Sequence, residues 1–138
     1  MKKLIHEYSL SNDMENLICK FEIMGKLPSL NDYVTACRAN YYKANAMKKK
    51  CEKTVIDALR AHKTKKINKY PLQFEITWYE PNRLRDFDNV CFGVKFILDA
   101  MVKGSYIPDD SQKYVRSIIH HVEVNKEYPH IEVKIKAL

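Results

Sequence analysis

Between Pro71 and Pro81 the chain reads "PLQFEITWYEP", and this alternation constrains the fold more than any other stretch. Leu72, Phe74, Ile76 and Trp78 fall at every second position, with Gln73, Glu75, Thr77 and Tyr79 between them. Side chains alternate across a β-strand, so this period predicts a strand with one face against a core. The pattern changes soon afterwards. Val90, Val94, Ile97, Leu98 and Met101 have helical spacing, so the strand feeds a helix that ends near Lys103 and Gly104.

The flanking segments supply the other elements. "ENLICKFEIMGKLPSLNDY" predicts a strand over about Leu17 to Ile23, ended by Gly25 and Pro28. Ser29 or Asn31 then caps a helix expected to run unbroken to about Ala61, with Cys37, Tyr41, Ala44, Cys51, Val55 and Ala58 on its inward face. "VRSIIHHVEV" and "HIEVKIKAL" predict two strands, joined across "NKEYP" as a hairpin. Residues 1–14 are polar and mixed and read as a flexible leader. Together, 138 residues make a single α+β domain with an α/β-like order of elements. The expected core is a mixed β-sheet of about four strands flanked by two main helices.

Charge narrows the partner. Lys and Arg number 24 against 17 Asp and Glu, a net charge of +7. From Arg38 to Lys69 there are eleven basic residues and only Glu52 and Asp57 against them, so this one segment holds a larger surplus than the whole chain. A run of cations on one helical surface suits the backbone of a nucleic acid, and Arg38, Lys43, Lys48, Lys49, Lys50 and Lys53 are the candidates, with Arg83 and Arg85 further on. For each lysine alone, a solvated helix face is the ordinary meaning. Cys19, Cys37, Cys51 and Cys91 are widely spaced and form no CxxC pair, which argues against a zinc or disulfide framework and for reduced, mostly buried thiols. No stretch resembles a signal peptide or the roughly 20 apolar residues of a membrane span, so the expected location is cytoplasmic.

Against that basic background the acids gather between Arg83 and Asp110. Asp86 and Asp88 lie where the strand passes into the helix, and Asp109 and Asp110 in a turn after it. Lys95 is seven residues beyond Asp88, about 700° of helical rotation, so it shares that face within roughly 20°. Helical side chains lean toward the N-terminus, which aims Lys95 back at the acids. Carboxylates from such positions can hold Mg²⁺ or Mn²⁺, which polarises a phosphoryl oxygen and activates the attacking water. The simpler readings are a helix cap at Asp86 or Asp88, an i,i+4 ion pair between Lys95 and Asp99, and an ordinary turn at "PDDS".

"RLRDFDN", "KFILDAMVKG" and "IPDD", in this order, resemble the RusA family of Holliday junction resolvases. "LPSLNDYVTACRANYYKANAMKKK" is similar to the N-terminal helix of its phage-type members, so the resemblance runs from about Leu17 onward and points to a prophage source. It implies a small homodimeric, Mg²⁺-dependent endonuclease that nicks four-way DNA symmetrically. By the same resemblance Asp86, Asp88 and Asp110 are the metal-binding aspartates, with Asp109 in reserve, Lys95 is the catalytic lysine, and Asp99 is structural. The alternatives are a non-catalytic protein that binds branched DNA and, less favoured, a metal-dependent RNase.

Overall fold

The computed structural model describes residues 16–138, so the leader expected over residues 1–14 lies outside the described residues. Four strands, β1 (Leu17–Met24), β2 (Leu72–Glu80), β3 (Val115–Val124) and β4 (His130–Ala137), form one sheet in the order β1-β4-β2-β3. β4 runs antiparallel to both β1 and β2, whereas β2 and β3 are parallel. The sheet is therefore mixed, as the sequence predicts. Phe21, Ile23, Phe74, Ile76, Trp78, Ile131, Val133 and Ile135 are buried on one face against helical residues such as Val55, Leu59, Ile97 and Met101. The other face carries Lys20, Glu22, Gln73, Glu75, Thr77, Tyr79, Glu132 and Lys134, which the strand registers bring side by side.

The long first helix is in fact two: α1 (Leu30–Ala39) and α2 (Tyr41–Ala61). Ser29 starts α1 with a reciprocal cap, its hydroxyl accepting from the Asp32 amide at 3.1 Å while the Asp32 carboxylate accepts from the Ser29 amide at 3.0 Å. Asn40 then breaks the chain with extended backbone, and its side-chain carbonyl accepts from the Lys43 amide at 2.9 Å to begin α2. The break re-aims the helix. Cys37 and Tyr41, expected inside, are exposed, while Ala36, Cys51, Val55 and Leu59 are buried. Likewise only Cys51 and Cys91 of the four free thiols are buried.

After β2 come α3 (Phe87–Cys91) and α4 (Val94–Lys103), where one helix was expected. Gly93 sits at the junction because a Cβ there would meet the Trp78 ring at 2.9 Å and the Leu27 Cβ at 3.3 Å. α4 packs on α2 and returns the chain to the start of the sheet, where β3 pairs in parallel with β2. This crossover overturns the expected hairpin: β3 takes one edge of β2, leaving the opposite edge for β4. The intervening segment crosses the end of β2, where the Asn125 amide donates to the Glu80 carbonyl at 2.8 Å.

Candidate active site and nucleic-acid interface

β2 ends in Glu80, whose carboxylate is almost wholly buried. Arg85 meets it with two parallel bonds, Nε to Oε1 at 2.7 Å and Nη2 to Oε2 at 2.8 Å, and Nη1 donates to the Leu27 carbonyl at 2.9 Å. A bidentate pair of this kind fixes orientation as well as distance. It closes the segment between β2 and α3 and delivers the next residue, Asp86, at the N-cap position of α3. Arg85, grouped with the nucleic-acid contacts in the sequence, has its guanidinium held in this clamp, whereas Arg83 is exposed.

Asp86 occupies the N-cap position of α3, yet its side chain makes no capping bond. The simple explanation for an aspartate at that position is therefore absent. Asp88 is also exposed, and one of its oxygens accepts from the Asn89 amide at 3.0 Å. Asn89 in turn accepts from the Asn31 amide at 3.0 Å, tying α3 to the start of α1. Two carboxylates with oxygens free and facing water suit a hard cation that keeps part of its hydration shell, so the donor set at Asp86 and Asp88 fits Mg²⁺. Leu84, two residues before Asp86, and Phe87, between the two aspartates, are exposed as well.

Lys95 does not reach back along the helix. Its Nζ lies 3.3 Å from Asp99 Oδ2, with both side chains about one-third exposed. Asp109 and Asp110 are exposed in the segment before β3, where the Ser111 carbonyl accepts from the Tyr114 and Val115 amides, each at 2.9 Å. Val115 pairs with Leu72 at the start of β2, while α3 follows Glu80 at its end. Nine residues of strand at about 3.3 Å each separate those two ends by roughly 26 Å. The fold thus places Asp86 and Asp88 at the start of α3 and leaves Asp110 near the opposite end of the parallel pair.

A groove between the start of α1 and α2 is lined by Lys26, Asn31, Asp32, Lys50 and Arg85. Arg38, Lys43, Lys49 and Lys53 are exposed on α1 and α2, and Lys53 pairs with Asp57 at 2.9 Å. Lys48 lies 5.6 Å above the Tyr33 ring, and its pKa is raised, chiefly by the Tyr33 side chain. Behind Phe87, His120 accepts from Trp78 Nε1 at 3.0 Å. Burial and then the neighbouring His121 push its pKa below the usual 6.5.

The model of the family described as endodeoxyribonuclease RusA matches residues 25–136. The chain belongs to the RusA family. No curated protein matches it. RusA membership assigns it endonuclease, and hence hydrolase, activity, and the match spans every element from α1 to β4.

Sequence reasoning missed several residues of this RusA fold. Nothing local in the sequence marks Glu80, and only the tertiary contact shows it holding Arg85. Asn31 and Asn89 are 58 residues apart, so nothing local joins them. Glu22, His130 and Glu132, the set among the described residues whose ligand atoms lie within 4.8 Å of one another, depend on the register of β1 with β4. The spacing of His130 and Glu132 on one strand face was readable, but the third member was not.

Proposed function

We propose that this RusA-family chain is a Mg²⁺-dependent, structure-selective endodeoxyribonuclease that resolves four-way DNA junctions by symmetric phosphodiester hydrolysis. The observation that carries this reading is the pair of exposed acids at the start of α3, of which Asp86 does not cap the helix. Asp86 and Asp88 hold the metal, which polarises the phosphoryl oxygen and lowers the pKa of the attacking water. Lys95, partly exposed one helix away, offers its ammonium to the phosphate by exchanging Asp99 for it. Arg38, Lys43, Lys48, Lys49, Lys50, Lys53 and Arg83 bind the backbone, while Arg85 acts on the site through its loop.

The chain works as a homodimer, whose two-fold axis matches that of a junction cut on two strands. The separation of Asp110 from Asp86 and Asp88 along β2 and β3 favours a site in which one subunit supplies Asp86 and Asp88 and its partner supplies Asp110. A test is Asp88→Asn on a labelled synthetic junction. Loss of several kcal/mol of charge stabilisation slows cleavage by about 100-fold or more, with junction binding retained. Cleavage at the unaltered rate would remove Asp88 from the chemistry.

A protein that binds branched DNA without cutting it is the second reading, and the exposed cations of α1 and α2 favour it as much as they favour the nuclease. It differs in leaving every junction intact whatever metal is present.

A further inference from the structure

On the sheet face opposite the helices, Glu22 of β1 stands directly across from Glu132 of β4, and His130 lies two residues before Glu132 on the same side. One ring nitrogen and one oxygen of each carboxylate fall within 4.8 Å of one another. Like charges facing each other on adjacent strands destabilise a sheet, so the pair needs a counter-charge. Lys20 at 3.8 Å and Lys134 at 3.6 Å both serve Glu132, and no ion pair or hydrogen bond holds the Glu22 carboxylate among the described residues.

His130 is built as a ligand. It is only 8% exposed. Its ring stacks on Tyr79 at 4.4 Å between centroids and lies 4.8 Å from Tyr128, which fixes its plane. Nδ1 lies 2.8 Å from the Tyr128 backbone carbonyl, a contact that requires the proton on Nδ1 and leaves the lone pair on Nε2. Nε2 has no hydrogen-bond partner among the described residues. A backbone carbonyl orienting the far nitrogen of an imidazole is the arrangement that supports metal-bound histidines.

We propose that Glu22, His130 and Glu132 form a divalent transition-metal site, separate from the aspartates of α3, that clips edge strand β1 to β4. One imidazole nitrogen with two carboxylate oxygens suits Zn²⁺, with a water in the fourth position, whereas Mg²⁺ prefers oxygen ligands alone. Lys20 and Lys134 release Glu132 to the metal and turn to solvent. The site does not depend on the nuclease reading.

The test is thermal unfolding and equilibrium dialysis of the EDTA-stripped full chain with ZnCl₂, repeated for Glu22→Gln, Glu132→Gln and Asp88→Asn. At saturating Zn²⁺ the wild type and Asp88→Asn bind one more equivalent than Glu22→Gln or Glu132→Gln and gain about 4 °C or more in Tm. Mg²⁺ at the same concentration produces no comparable rise. Co²⁺ gives a visible ligand-field band that the two glutamine variants lack, which tests the site independently of stability. Equal Zn²⁺ uptake and Tm gain in Glu22→Gln and wild type would overturn the site, and loss of both in Asp88→Asn would move the ion to α3.

Discussion

Asp86 shows how far a single residue can be read. Its position between a strand and a helix is plain from the change of period, but the same position suits a cap or a ligand equally well. What separates them is a hydrogen bond that the side chain does not make, and no pattern of letters contains that. Lys95 shows the converse. The rotation that set it on the face of Asp88 assumed one continuous helix, whereas the chain is divided at Gly93 into α3 and α4, and its ammonium pairs with Asp99 one turn further on, the simpler reading offered by the i,i+4 spacing. A glycine within helical spacing can make room for DNA or for protein, and the Trp78 ring at 2.9 Å from the would-be Cβ of Gly93 favours protein. Gly93→Ala therefore lowers stability in urea by about 1–3 kcal/mol, an overpacking cost, while the m-value and DNA affinity stay close to wild type. A stable variant with weakened DNA binding would return Gly93 to the nucleic-acid surface.

At the scale of elements, strands with strict alternation were legible almost to the residue: β2 was expected between Pro71 and Pro81 and spans Leu72–Glu80. The helix break at Asn40 was missed because apolar spacing runs through it, and an asparagine within such spacing carries no mark of its backbone angles. Capping by Asn40 is nevertheless what starts α2. Asn40→Ala costs about 1 kcal/mol of stability and frays the first turn of α2, which carries Tyr41, Tyr42 and Lys43. Urea unfolding with amide exchange checks both effects, and unchanged protection at Lys43 would show that the cap is dispensable. The β3–β4 hairpin failed for a different reason. Neighbouring strands joined by a short turn ordinarily pair, but a parallel crossover had already placed β3 beside β2, and pairing of that range leaves no local trace.

For the whole molecule, net charge, one domain and about four strands followed from composition and period, whereas the directions in which those strands pair, and with them the distance between the two acid groups, did not. That distance has a functional consequence if the nuclease is a homodimer. Mixing Asp88→Asn with Asp110→Asn subunits puts both lesions into one site and leaves the other intact when Asp110 acts across the interface. The mixture then nicks one strand of a junction, and each variant alone is inactive. A mixture as inactive as its parents would place all three aspartates in one subunit. More direct still is the chemistry itself. The purified chain is incubated with an end-labelled four-way junction and a matched linear duplex, with Mg²⁺ or with EDTA, and the products are separated on a denaturing gel. Symmetric paired nicks in the junction, only with Mg²⁺ and not in the duplex, are the predicted result; a junction bound but uncut in every metal tested would contradict the assignment of Asp86 and Asp88 to catalysis.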